Sequence, residues 1–270
     1  MQGEDVLYIC GTDEHGTASE VAALKAGVDV EKYCDEFHKK HAEVNKAFNL
    51  SFDYFGRTST EQNKEMTYRI ASALDKNGFI EEKTIKQIFS VDDNQFLADR
   101  YITGKCPYCG YEKARGDQCE NCTKVLEPTD LINPKSTISG STNLEVRETK
   151  HLFIKLEALQ PELKKWLGTK EFSWPEVAYS IAQKWLKEGL QPRCITRDLK
   201  WGFKVNKPGY EDKVFYVWFD APIGYIGITK QWSDEKPAER NWEDWWLKPD
   251  EVHYVEFMGK DNVPYHSITF

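Results

Sequence analysis

The stretch CPYCGYEKARGDQCENC, residues 106–122, holds two C-x-x-C pairs, Cys106 with Cys109 and Cys119 with Cys122, nine residues apart. Each pair suits a tight turn, and two such turns can present four thiolates to one tetrahedral cation. Zinc fits that donor set, because thiolates are soft ligands and the ion imposes no geometry of its own. Two disulfides, unrelated buried cysteines or a redox C-x-x-C are the competing readings. Disulfides need an oxidising compartment, and no apolar secretory segment opens the chain. Four ligands would close the coordination shell and leave no open position for catalysis, so one structural zinc is expected. The cluster is then a clasp on an insertion, and the segments on either side of it must supply the main fold.

The chain has 270 residues, enough for one large domain or two ordinary ones with a real hydrophobic core. Its hydrophobic content of 40% and charged content of 30% are those of a soluble globular protein. No run approaches the roughly 20 apolar residues of a membrane span, so no membrane partner is expected. A net charge of -8 argues against a free-standing nucleic-acid binder while leaving room for a local basic patch. Cys10, Cys34 and Cys194 lie far apart and read as reduced, mostly buried thiols of a cytoplasmic protein.

Outward from the cysteines, the pattern is α/β. VLYIC (6–10) is a short apolar strand that stops at Gly11. Helices are expected over about 17–26, 30–48 and 59–77, the first and last ending at Gly27 and Gly78. In the second, Phe37, His41, Val44 and Phe48 share one face. Residues 79 to about 100 turn strand-like, INPKSTISGSTN (132–143) reads as a polar loop, HLFIKL (151–156) as a strand and 174–189 as a helix. VFYVWF (214–219) and VHYVEFM (252–258) read as strands again. The expected division is residues 1–77 as the first part of an α/β domain, 78–195 as the insertion with its knuckle at 106–122, and 196–270 as the second part.

Ligands of open α/β sheets bind beyond the carboxyl ends of strands. Two such ends carry polar turns, TDEHG (12–16) and GKDNVPYH (259–266). In the first, a carboxylate could hold an ammonium group and His15 could touch a phosphate or ribose; an aspartate capping the next helix, or a solvated loop, explains the same residues. In the second, Gly259 permits close backbone approach, and Asp261 and His266 offer polar groups to a ribose or adenosine. Strand alternation would send Tyr216 and Trp218 to one face, with Asp220 following. Neither G-x-G-x-x-G nor G-x-x-x-x-G-K-[ST] occurs, which removes the usual support for dinucleotide binding and P-loop chemistry.

Taken together, YICGTDEHGTA (8–18), FDYFGRTST (52–60), FLADR (96–100), the knuckle with its ARGDQC (114–119), ITRDLKWG (195–202), VFYVWFDAPIGYI (214–226) and FMGKDNVPYH (257–266) resemble the methionyl-tRNA synthetase family. This is a class I aminoacyl-tRNA synthetase family, and the resemblance is to its archaeal and eukaryotic cytosolic type. It implies a Rossmann-like catalytic fold interrupted by a zinc-bearing connective insertion. It implies a methionine--tRNA ligase, which uses ATP with Mg to make methionyl-adenylate from L-methionine and passes the methionyl group to tRNA(Met). By motif, Asp13 matches the carboxylate that takes the methionine ammonium, and Arg197 a buried arginine near it. Tyr216, Trp218, Ala221, Pro222, Tyr225 and His266 match the methionine pocket. His15, Gly259, Asp261 and Asn262 match the ATP and adenosine side. Cys106, Cys109, Cys119 and Cys122 match the zinc knuckle. The stretches where some relatives carry a second knuckle, 91–100 and 133–141, contain no cysteine, so one zinc is expected. Membership of a multi-synthetase complex is a further partner that the family implies.

Two family signatures that hold ATP, a His-Ile-Gly-His type and a Lys-Met-Ser-Lys-Ser type, do not occur in these residues. No catalytic residue is therefore assigned. The expectation is an internal piece of the catalytic domain, lacking its first strand and its C-terminal part and inactive alone. The alternative is a non-catalytic, zinc-containing fragment that binds RNA or protein.

Overall fold

The computed structural model describes residues 3–98, 101–116, 119–122, 126 and 128–270. Asp99 and Arg100 of FLADR, and Asp117 and Gln118 of ARGDQC, lie outside the described residues.

The N-terminal apolar run forms strand β1 (Ile9–Thr12), followed by helices α1 (Thr17–Ala26) and α2 (Val30–Ala47). The turn between the helices is specified locally. Gly27 closes α1 at φ 68°, a left-handed conformation that glycine adopts without steric cost. Asp29 then caps α2, its carboxylate accepting the N–H groups of Glu31 and Lys32. This helical crossover delivers strand β2 (Tyr54–Arg57) parallel to β1, with Ile9 opposite Tyr54 and Thr12 opposite Arg57. Helix α3 (Glu61–Lys76) follows, capped by Thr60. In α2 the expected apolar face is only partly used. Cys34 is its buried residue, whereas Val44 and Phe48 are 51% and 75% exposed, because the helix runs on past the strands it packs against.

The segment expected to be an insertion is antiparallel. Strand β3 (Ile80–Ser90) leads to β4 (Gln95–Phe96), β5 (Ile102–Lys105), β6 (Ala114–Arg115), β7 (Ile132–Ser136) and β8 (Leu144–Ile154). β3 and β8 pair along their whole length, from Ile80 opposite Ile154 to Ser90 opposite Leu144. The strand read from HLFIKL thus begins earlier than expected, and the polar stretch 132–143 opens as β7 before it turns. β6, β5 and β7 form the small sheet that carries the cysteines.

Helices α4 (Leu156–Gly168) and α5 (Glu176–Glu188) lead into short strands β9 (Arg193–Cys194), β10 (Thr196–Arg197) and β11 (Val214–Phe215). β9 joins β8 at the edge of the four-stranded sheet, and β10 pairs with β11. Here the strand expected over VFYVWF is corrected. Only Val214 and Phe215 are strand, Tyr216 is an extended cap, and helix α6 (Val217–Asp234) begins at the next residue. The buried positions Phe219, Ile223, Gly227 and Gln231 recur every four residues, and that helical period overrides the β-branched and aromatic start. After α7 (Glu243–Trp246), the expected strand VHYVEFM is extended chain without a ladder, and Tyr254, Val255 and Phe257 are exposed. Its composition suits a strand, but no strand edge among the described residues meets it. Helix α8 (Val263–Ser267) completes the order.

Two buried clusters cross the expected boundary near residue 195. One joins Leu152, Ile154 and Leu186 to Phe215, Phe219 and Ile223. The other joins Ile88, Ile102, Cys106 and Cys119 to Leu199 and Val214. No helix among the described residues is long and apolar enough to cross a membrane.

Helix α6 crosses β1, β2 and α3 at backbone distance. A Cβ on Gly227 would stand 2.7 Å from Asn63 Cα, and one on Gly11 would collide with Ile228. Gly227→Ala is therefore expected to cost about 1–3 kcal/mol through overpacking. The check is the urea midpoint, and an unchanged midpoint would contradict this packing.

Candidate functional site

The turn after β1 is fixed by a buried carboxylate that sequence reasoning left without a role. Glu14 is 3% exposed, and its Oε2 accepts from Arg57 Nε at 2.9 Å and from the Ser59 hydroxyl. Its Oε1 accepts from Thr12 Oγ1 at 2.9 Å, and its N–H donates to Thr58 Oγ1 at 3.1 Å. Its carbonyl accepts from Trp201 Nε1 at 2.6 Å. Arg57 in turn donates to Asp35 of α2 at 2.6 Å. β1, β2, α2 and the loop after β10 therefore meet on this one residue. The signal was present as the pairing of TDEHG with FGRTST, two segments that carry complementary charge.

With Glu14 held, its neighbours diverge. His15, expected on the adenosine side, is buried, and its Nδ1 lies 2.5 Å from Asp220 Oδ2 in the first turn of α6. Trp201 and Phe203 present ring edges to the imidazole at centroid distances of 5.3 and 4.5 Å. Asp220 has no exposed surface, and burial pushes its carboxyl up, opposed by His15. Asp13 is exposed at the surface, with dense protein packed behind it. Burial first, then Asp220, pushes its carboxyl up to about 7.

The aromatic residues expected around a substrate side chain come from the start of α6 and from α8. Tyr225 OH lies 3.3 Å from His266 Nε2, and His266 Nδ1 lies 2.8 Å from the Asn262 carbonyl. Since only a ring N–H can serve that carbonyl, Nδ1 carries the hydrogen, and the Tyr225 hydroxyl donates to Nε2 if the ring is neutral. Trp218 stacks on Tyr265 at 4.0 Å and meets His266 edge-on at 6.5 Å. Burial raises the Tyr225 phenol, with Glu256 next and Cys10 and Asp13 adding to it. Arg197 lies with its guanidinium carbon 3.7 Å from the centre of the Tyr216 ring. Ala221 and Pro222 sit between Asp220 and Tyr225 on α6.

The structure thus brings Trp218, Tyr225 and His266 together, pairs Tyr216 with Arg197 beside the N-terminus of α6, and leaves Asp13 two residues before the His15 that holds Asp220. Gly259, Asp261 and Asn262 form the turn before α8, with Gly259 and Asp261 exposed. Glu256, which the sequence did not single out, is 10% exposed and lies 3.4 Å from His266 Nε2.

The four cysteines converge. All four Sγ atoms lie within 4.8 Å of one another, with Cys106 to Cys122 at 3.8 Å and Cys109 to Cys119 at 3.6 Å. Zinc–sulfur bonds of about 2.3 Å in a tetrahedron require S···S edges of about 3.8 Å, so the donor set fits a tetrahedral ion. None of the seven cysteines forms a disulfide, which sets the disulfide reading aside. The Cys109 thiol is pushed down to about 6, chiefly by Asn121, whose amide donates to Sγ at 3.5 Å.

The family model described as tRNA synthetases class I (M) matches residues 1–270. The methionine--tRNA ligase of Streptomyces avermitilis is 57% identical over 279 residues, which cover 100% of this chain and 49% of that protein. Methionine--tRNA ligase 1 of Acaryochloris marina is 57% identical over 268 residues, 99% of this chain and 48% of its own length. The chain spans about half the length of the curated relatives it matches. Both relatives are bacterial, so they support the family and do not test its archaeal and eukaryotic type. A structure of Mycobacterium tuberculosis methionyl-tRNA synthetase in complex with methionyl-adenylate has the same fold, with a TM-score of 0.68 at 22% identity over 99% of this chain and 46% of that one. With all of its residues inside the family model, the chain belongs to the class I tRNA synthetases of the methionyl group.

Proposed function

We propose that the region between the β1 turn and the start of α6 binds L-methionine for the methionine--tRNA ligase reaction. In that reaction ATP, with Mg, activates the amino acid as methionyl-adenylate, and the methionyl group passes to tRNA(Met) in the cytoplasm. The observation that carries this reading is the contact of Trp218 and Tyr225 of α6 with His266, on a helix pinned through Asp220 to His15, two residues from Asp13. A carboxylate raised by burial gains from an incoming ammonium, which supplies the missing countercharge. Aromatic rings suit a thioether, each sulfur contact adding about 0.3–1.5 kcal/mol. An apolar pocket alone separates near-isosteres poorly, so the polar pair Tyr225–His266 is assigned to selectivity. Ala221 and Pro222 complete the wall. Gly259, Asp261 and Asn262 are assigned to the adenosine, while His15 acts through Asp220 to hold the pocket. The relatives' name and the methionyl-adenylate bound by the structural neighbour support this assignment.

The sign of the pH dependence follows from Asp13. Its folded pKa is about 7, above the ordinary 3.8, so the carboxyl becomes protonated as pH falls through 7. Affinity for L-methionine should then weaken about tenfold between roughly pH 8 and pH 6. The same shift means that the unliganded fold loses stability as pH rises from about 4 to 7. Asp13→Asn should weaken binding at high pH and flatten the profile. A steep profile that survives in Asp13→Asn would remove Asp13 from the ammonium site. L-methionine should raise the melting temperature of the chain, and protection by L-leucine in its place would overturn the assignment.

Cys106, Cys109, Cys119 and Cys122 would hold one zinc, whose role there is structural. Purified chain should contain about one zinc per polypeptide, and chelation should lower its melting temperature. Metal-free protein with the same melting temperature would overturn the zinc assignment.

A further inference from the structure

A buried polar cluster stands behind Arg197. Arg197 ends β10, flanked by Thr196 and Asp198. Successive strand residues point to opposite faces, so Thr196 and Asp198 turn inward while Arg197 turns out toward Tyr216. On the inner face, His151 of β8 has no exposed surface and is held at both ring nitrogens. Its Nδ1 lies 2.9 Å from Thr196 Oγ1 and its Nε2 2.9 Å from Asp198 Oδ2. The other Asp198 oxygen takes the Lys213 ammonium, and Lys213 also donates to Thr149 Oγ1 at 2.7 Å. The Thr149 hydroxyl approaches Asp198 Oδ2 at 3.1 Å, and the Leu152 N–H donates to Thr196 Oγ1 at 3.1 Å. The Asp198 and Lys213 side chains are 7% and 5% exposed.

Burying an ammonium, a carboxylate and an imidazole costs more in desolvation than an apolar cluster of the same volume, which would fasten these strands equally well. An apolar cluster, however, tolerates sliding, whereas directional bonds to both neighbours of Arg197 accept only one register. The network also ties the insertion strand β8 to the segment that carries Arg197. We propose that His151, Asp198 and Lys213 are positioning residues that set the Arg197 guanidinium against Tyr216 at the methionine site. This inference rests on the reading of Arg197 as part of that site.

The test is L-methionine affinity of the 270-residue chain, measured by ligand-observed NMR beside the melting temperature, in wild type, Arg197→Ala and the double variant Asp198→Leu/Lys213→Met. Replacing a buried pair by apolar residues is often neutral for stability, so the double variant should melt near wild type. Its dissociation constant should nevertheless rise about tenfold, as in Arg197→Ala, because the guanidinium is no longer preorganised. An unchanged constant in the double variant, with a raised one in Arg197→Ala, would overturn the positioning role and leave the pocket standing. An unchanged constant in Arg197→Ala, or no binding by wild type, would overturn both. Should the double variant not fold, His151→Asn reads the same quantity: a rise of about threefold supports the role, and an unchanged constant overturns it.

Discussion

One buried hydrogen bond, between His15 and Asp220, joins residues 205 positions apart and sets the geometry of everything around it. One partner follows the first strand and the other opens helix α6. Asn63 of α3 reinforces the junction, its amide donating to the carbonyls of Thr58 and Asp220 at 2.9 and 3.2 Å. Because α6 is pinned at its first turn, Ala221, Pro222 and Tyr225 fall within two turns of the junction. Because His15 is pinned, Asp13 two residues earlier has little freedom. Glycines on both sides let the helix come close enough for the bond to form, so packing and the polar contact are one constraint.

Three carboxyl groups share this corner, and each is treated differently. Glu14 is neutralised by Arg57 and by hydroxyl donors, and serves as a structural node. Asp220 is fully buried and held by His15. Asp13 feels the charge of Asp220 and is exposed at the surface, with dense protein packed behind it. An ammonium group is the complement that the third carboxyl asks for, and aromatic rings stand where a soft apolar side chain would continue. The proposed function places the chemistry at this corner and gives the four-cysteine cluster the part of a clasp.

Much of this was legible in the sequence. The first and third helices announce themselves through Gly27 and Gly78, and the caps Asp29 and Thr60 that the structure adds are equally local. The cysteine spacing foretold convergence of the four sulfurs, and the TDEHG turn lies, as read, at the end of the first strand, whereas GKDNVPYH follows no strand. The failures concern long-range packing. VFYVWF has the composition of a strand, yet its burial period belongs to the 18-residue helix it begins. VHYVEFM has strand composition and no edge to pair with among the described residues. Glu14, Asn63 and Asp220 gain their roles from partners 43 to 205 residues away, which no local pattern encodes. Likewise, His151 and Lys213 look like ordinary surface residues until the sheet folds them inward.

The central claim is that an amino acid lies with its ammonium at Asp13 and its thioether among Trp218, Tyr225 and His266. Intermolecular NOEs between L-methionine and the labelled chain address it directly. The account predicts contacts from the S-methyl group to the Trp218 and Tyr225 rings. S-methyl contacts confined to residues outside this corner would contradict it.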